Sequence, residues 1–240
     1  MNFPTIFDWV ERLAFLRGDV ALLLVMAAAV FVLLVPDLRL AILGLAAQYF
    51  AAALLFVDVL DPRLAIVKLL VGWFVCLILA ITGSQVRWGR LPEDVTADEA
   101  AHLNRKRTVR IGQYVVPQTA VRGVLVLLVL ALAWWGGRQI ALPVTGEVPA
   151  YWGTAVFTLV GLGLLGMTFI DEPLRAGMGA LLALTGFELF YSLRDQSPAA
   201  LALLAAANFA VALAVAYVAQ ARMRRQLSPA ASETGQSTCG

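Results

Sequence analysis

The chain has 240 residues, of which 61% are hydrophobic and 14% are charged. Soluble domains carry about 25% charged residues, so a chain this apolar cannot hide its surface in one soluble core. The composition therefore predicts an integral membrane protein in contact with the lipid bilayer. The formal net charge of +2 gives no reason to expect a nucleic acid partner.

Residue types that serve metal and redox chemistry are scarce. The chain has one histidine, His102, and two cysteines, Cys76 in an apolar run and Cys239 in the polar C-terminal stretch. This composition excludes a multi-histidine metal or haem site within the chain and predicts two separate, reduced thiols. The sequence also shows no Ser/His/Asp arrangement and no paired intramembrane carboxylates. We therefore expect no metal, no cofactor and no enzymatic activity of the chain by itself.

Residues 1–18 precede the first long apolar run. Asp8 and Glu11 occupy the region that is basic in a signal peptide, so we expect this segment to be retained. Its apolar residues fall on one helical face, which predicts a short interfacial helix. A simple helical lead-in to the first span fits the same residues.

Seven continuous apolar runs follow, and most approach the roughly 20 residues that cross a bilayer. Continuous rather than alternating runs indicate helices, because lipid requires every backbone group to be paired within the segment. The predicted fold class is all-α, a polytopic bundle of about seven transmembrane helices, the first of them the shortest. The predicted spans are residues 19–36, 39–57, 63–84, 121–142, 151–170, 173–193 and 198–221.

Basic residues in the connections predict the orientation of the bundle. Most of them lie in the connection 85–120 and in the flank after the last span, which fall on the same side of a seven-helix topology. We therefore expect a multi-pass protein of the inner, cytoplasmic membrane. Its N-terminus would lie outside and its C-terminus in the cytoplasm.

The connection 85–120 and the C-terminal tail carry their own signals. Thr96 and Glu99 resemble a capping box, which predicts a short helix running through His102 toward Gly112. The basic run that follows His102 is expected to contact anionic lipid. The tail 226–240 is rich in Ser, Ala and Thr, which is typical of a disordered segment.

Two parts of the chain resemble copies of one three-helix unit, residues 19–84 and 151–225, joined by the linking span 121–142. Aligning Arg39 with Arg175 also aligns Pro62 with Pro198, and these residues open the second and third helices of each unit. A three-helix unit reverses sides, so a second copy in the same orientation needs one extra crossing between them. The alternative is seven unrelated helices.

A few polar residues within the spans are the candidate ion-path residues, because charged groups in hydrocarbon are costly and often functional. The first unit contributes Gln48 and Lys68, and the second contributes Glu188 and Asn208. Glu188 could line a proton or ion path, contact a neighbouring subunit, or reach the interface and bind Arg194.

Lys68 and Asn208 have equally open interpretations. Lys68 could extend its ammonium to the membrane surface, or it could partner a buried acid. Asn208 could hydrogen-bond between helices as a packing contact.

Glycines in the fifth and sixth spans predict close helix packing, because small residues let helix backbones approach in lipid. The spacing of the first three also matches a dinucleotide-binding loop, but no strand precedes them. The packing candidates are Gly161, Gly163, Gly166, Gly179 and Gly186.

The second unit resembles the small K subunit of bacterial respiratory complex I, the C subunit of Mrp-type antiporters and the E component of hydrogenase-4-like complexes. The resemblance lies in TGFEL at 185–189, in AAAN at 205–208 followed by FAVALAVAYVAQ, and in the terminal Arg222, Arg224 and Arg225. Asn208 stands where that family has a second glutamate, so a relay of two carboxylates does not carry over. The length and topology resemble the hydrogenase-4 component most, as do Arg175, Gly179, Gly186 and Leu189.

This resemblance implies a non-catalytic membrane subunit of a proton- or sodium-translocating respiratory, hydrogenase or antiporter complex. Its partners would be larger antiporter-like membrane subunits, and redox chemistry would occur in other chains. Glu188 would be its intramembrane protonatable residue. A purely structural assembly subunit and a stand-alone polytopic transporter are the alternatives.

Overall fold

The computed structural model describes residues 14–86, 108–111, 114–139, 149–168 and 172–233. The segment 1–13, the capping box at Thr96, His102 and the end of the tail with Cys239 lie outside these ranges, so their predictions stay predictions.

Seven α-helices account for almost all of the described chain, preceded by a 3-10 turn at Ala14–Leu16. Each helix lies at one of the seven predicted spans. The helices are α1 (Asp19–Leu34), α2 (Leu38–Phe56), α3 (Pro62–Gln85), α4 (Gln118–Gln139), α5 (Ala150–Thr168), α6 (Pro173–Ser192) and α7 (Pro198–Glu233).

Five of these helices, α2, α3, α4, α5 and α7, are long and apolar enough to cross a membrane. Helix α1 is apolar but has only 16 residues, in line with the prediction that the first span is the shortest. Helix α6 has 20 residues but carries Arg175 and Glu188, both of them buried. The protein is a helical membrane protein, and the crossing of the bilayer by all seven helices remains a prediction.

Carboxylates and prolines define the short breaks between helices. Asp37 and Asp61 accept hydrogen bonds from the backbone N–H groups of Arg39 and Arg63, which caps α2 and α3. Pro62 begins α3, where its missing N–H costs no helical hydrogen bond.

A short antiparallel hairpin precedes α4, with strands β1 (Thr108–Ile111) and β2 (Tyr114–Pro117). The predicted helix through this stretch is therefore wrong from Thr108 onward. The physical reason is the density of β-branched residues in both segments, which favours strands over helix.

Helix α7 continues to Glu233. The disordered tail predicted from residue 226 is therefore wrong as far as Glu233. The stretch 226–233 contains helix-forming Ala, Gln and Glu residues, which let the helix extend beyond the apolar span.

The two predicted units pack against each other through corresponding helices. Helix α1 contacts α5, α2 contacts α6 and α3 contacts α7, while α4 packs mainly on α5. The duplication itself stays a prediction.

Contacts between helix ends define two faces of the bundle. At the Asp58 face, Asp58 binds Arg17 at 2.6 Å and accepts a hydrogen bond from Tyr151 at 3.1 Å, which joins the start of α1, the end of α2 and the start of α5. At the Arg175 face, Arg175 donates to the carbonyl oxygens of Val35 and Pro36. Helices α1, α2 and α6 therefore meet there.

Candidate functional site: a buried polar cluster

An ion pair between the two units lies inside the helical bundle. Lys68 Nζ of α3 is 2.9 Å from Glu188 Oε1 of α6, and the two side chains are only 6% and 2% exposed. At this distance the ammonium can also donate a charge-assisted hydrogen bond to the carboxylate. The single acid of one unit and the single base of the other therefore meet.

Two further side chains extend this contact. Asn208 of α7 donates a 2.6 Å hydrogen bond from Nδ2 to the same Glu188 oxygen and a longer one to the Leu204 carbonyl. Tyr49 of α2 donates to Asn208 Oδ1 at 3.3 Å. We refer to Tyr49, Lys68, Glu188 and Asn208 as the polar cluster, which joins α2, α3, α6 and α7.

Gly72 makes room for the tyrosine. A Cβ atom at this position of α3 would overlap the Tyr49 ring. The ring can therefore lie across the α3 backbone while its hydroxyl reaches α7. Tyr49 was not among the residues predicted from the sequence, although a tyrosine in an apolar helix needs a partner for its hydroxyl.

The surroundings of the Lys68 ammonium show that two interpretations of the sequence, one for Lys68 and one for Glu188, are wrong. Lys68 does not extend to the membrane surface, since its Nζ lies 5.7 Å from the centre of the buried Phe56 ring and faces Glu188. Glu188 likewise pairs with Lys68 rather than with Arg194 at the interface. Both side chains face inward because each supplies the opposite charge that the other needs in hydrocarbon.

Gln48 precedes Tyr49 of the polar cluster in the sequence but makes no hydrogen bond to the cluster. Its side chain is completely buried, and neither Nε2 nor Oε1 has a hydrogen-bond partner among the described residues. The hydroxyl of Thr158 in α5 shares this property. Thr158 was also missed in the sequence, because threonines are common in apolar helices.

The predicted packing glycines lie where helices approach closely. Gly161 faces Val129 of α4, while Gly163, Gly166, Gly179 and Gly186 lie between α5 and α6, and we call these four the glycine seam. A Cβ atom at Gly179 would lie 2.8 Å from the Gly163 carbonyl oxygen and from the Met167 amide nitrogen. The seam therefore depends on the absence of side chains.

The chemistry available to the polar cluster is proton transfer. A proton can move from the Lys68 ammonium to the Glu188 carboxylate and convert the ion pair into two neutral groups, with Asn208 positioned to hydrogen-bond either state. Within the described ranges, no group of three His, Cys, Asp or Glu side chains is placed to hold a metal ion.

Comparison with protein-family models, with curated proteins and with solved structures gave no match to this chain. The resemblance to the complex I K subunit and its relatives therefore remains a prediction from the sequence. Glu188, which belongs to the resembling pattern, is hydrogen-bonded to Asn208, where the chain departs from that pattern.

Proposed function

We propose that the protein is a non-catalytic subunit of an ion-translocating membrane complex, in which Glu188 takes up and releases the transported proton. The Lys68–Glu188 ion pair carries this proposal, because it lies fully buried between helices of a membrane protein. Ionisable groups inside a membrane are rare and usually mark substrate, ion or proton pathways.

The energetics of buried ion pairs support a functional reason for this one. Removing two charges from water costs several kcal/mol per ion, and replacing such a pair by well-packed apolar residues is often neutral or stabilising. Apolar side chains would therefore pack these helices at least as well. An ion pair that stability does not require is better explained by proton transfer.

The resemblance supports the partner that we propose, a larger antiporter-like membrane subunit. In that family a second glutamate stands at the position of Asn208, whereas here Asn208 hydrogen-bonds Glu188 and Lys68 supplies the second ionisable group. The proposed relay is therefore a carboxylate with an amine. Sodium would be the alternative transported ion.

The decisive experiment is Glu188→Gln in the full chain, assayed in membrane vesicles of the source cell for proton pumping and by native electrophoresis for assembly. We expect pumping to be lost in the complexes that assemble, since the amide keeps the size of the side chain but not its protonation. Asp195→Asn is the matched control, because Asp195 lies in the short loop after α6. Unchanged pumping in Glu188→Gln would refute the proposal.

A purely structural role is the second candidate, because the polar cluster ties four helices of both units together. The double variant Lys68→Met/Glu188→Leu separates the two functions. A structural subunit would assemble with this apolar pair and leave pumping by the complex intact. A conducting subunit would assemble but fail to pump.

Purification in mild detergent with mass spectrometry tests the proposed partner. Antiporter-like subunits in a fixed ratio would support a complex subunit. A monomer or homo-oligomer would favour the stand-alone transporter.

A further inference from the structure

Three buried polar groups near the centre of the bundle have hydrogen-bonding capacity that no described residue fills. They are the Gln48 amide of α2, the Lys68 ammonium of α3 and the Thr158 hydroxyl of α5. Lys68 has its ion pair with Glu188, but an ammonium carries three N–H donors. Gln48 offers two donors and an acceptor with no partner at all.

Such groups are costly in a membrane protein. Burying an amide or hydroxyl without a hydrogen bond costs roughly 2–7 kcal/mol, depending on the reference state. Buried polar groups that lack a protein partner are normally bonded to ordered water, which typically makes about three hydrogen bonds. The side chains of Gln48 and Thr158 are both completely buried, so bulk solvent cannot supply the missing hydrogen bonds.

The three groups also lie at a similar depth below the Asp58 face. With a rise of about 1.5 Å per residue, Gln48 lies ~12 Å from the end of α2 at Phe56, and Thr158 lies ~12 Å from the start of α5 at Ala150. Lys68 lies ~9 Å from the start of α3 at Pro62. The depths of the three residues therefore differ by less than one helical turn.

We propose that Gln48, Lys68 and Thr158 bind ordered water molecules, forming a hydrated layer inside the bundle at the depth of the polar cluster. This inference deepens the proposed function: the hydrated layer would carry protons between Glu188 and the α5 side of the bundle. That role of the layer rests on the proposed function. The binding of water itself does not depend on transport.

The chemistry of the three groups selects water over other small ligands. Gln48 and Thr158 each donate and accept hydrogen bonds, which suits a neutral molecule that does both. The Lys68 ammonium and the Glu188 carboxylate neutralise each other, so neither a metal cation nor an anion would meet a net opposite charge there. An apolar molecule would leave all three groups unsatisfied.

Radiolytic hydroxyl-radical footprinting of the wild-type protein in lipid nanodiscs tests this site, because radicals generated from bound water oxidise neighbouring side chains. Tyr49 is the reporter beside Gln48, and Met178 is the control, since it is also buried but lies near the Arg175 face. We expect strong oxidation of Tyr49 and little of Met178. Tyr49 oxidised no more than Met178 would overturn the proposal.

The double variant Gln48→Leu/Thr158→Val then tests which residues hold the water. We expect oxidation of Tyr49 to fall well below the wild-type level, and Lys68 accounts for the oxidation that remains. Oxidation at the wild-type level would overturn the assignment to Gln48 and Thr158. Footprinting detects no transport, so a failure of this site is distinguishable from pumping that survives in Glu188→Gln, which would refute only the proposed function.

Discussion

The polar cluster and the glycine seam hold the same bundle together by opposite means. In the seam, α5 and α6 approach so closely that a single Cβ atom at Gly179 would lie 2.8 Å from backbone atoms. In the cluster, four helices meet through side chains that carry charge or hydrogen bonds. The two regions share helix α6, where Gly186 and Glu188 lie two residues apart, on nearly opposite faces of the helix, and have different partners.

The difference shows which contacts are needed for folding alone. Small residues provide close van der Waals packing without exposing polar atoms to lipid. Charged side chains provide a contact that adds little net stability, because the cost of their desolvation offsets their attraction. A helical bundle that can pack like the seam has no structural need for the cluster.

The largest effect is expected when one of the two charges of the polar cluster is removed. We expect Lys68→Met to lower the free energy of unfolding by about 3–5 kcal/mol, because it leaves Glu188 buried without its counter-ion. Denaturant titration in mild detergent measures the change. Lys68→Met/Glu188→Leu is the control and should recover most of the loss, whereas a single variant as stable as wild type would contradict the prediction.

The seam is tested by adding one methyl group. Gly179→Ala should lower the stability by about 1–3 kcal/mol, because the added Cβ atom meets backbone that cannot move aside. Gly123→Ala in α4 is the matched control, since a Cβ atom there meets nothing within 4 Å. The control should gain up to about 1 kcal/mol from helix propensity. Equal effects of both variants in thermal unfolding would show that α5 and α6 are not in tight contact.

The outermost bond of the cluster should contribute far less. Tyr49→Phe removes the 3.3 Å hydrogen bond to Asn208, and interhelical hydrogen bonds in membranes average about 0.6 kcal/mol. Tyr217→Phe controls for the loss of a hydroxyl, because Tyr217 is 74% exposed. A loss as large as that of Lys68→Met would mean that Tyr49 positions the ion pair.

The smallest effect is expected for a carboxylate outside the spans. Hydrogen bonds from the Ser197 backbone N–H and hydroxyl hold the pKa of Asp195 below its ordinary value. A lowered folded-state pKa stabilises the fold above the ordinary aspartate range, and this contribution disappears as the pH falls through the folded value. Thermal unfolding of wild type and Asp195→Asn should therefore differ slightly at neutral pH and converge in acid. A difference in unfolding temperature between the two proteins that grows in acid would contradict this prediction.

The helices could be predicted because the signals for them are local. Continuous apolar runs marked the seven helices, and the breaks at Asp37 and at Asp61-Pro62 are visible in the sequence. The hairpin was missed because the basic residues before Thr108 suited a helix as well as a loop. The extension of α7 was missed because polarity after Arg225 was taken to end the helix.

The partners within the polar cluster could not be predicted, because they depend on packing between distant parts of the chain. Lys68 and Glu188 belong to different units, and the alignment of Arg39 with Arg175 sets Gly72, not Lys68, opposite Asn208. Only the approach of α3 to both α6 and α7 brings the charges together. Tyr49 and Thr158 left no signal beyond a hydroxyl group in an apolar helix.

The contact of Arg175 with the end of α1 has a consequence for biogenesis. Arg175 follows Val35 by 140 residues, so the ribosome must synthesise four further helices before the carbonyl oxygens of Val35 and Pro36 gain their partner. Helix α1 is also the shortest of the seven. This contact at the end of α1 therefore forms only after most of the chain has been synthesised.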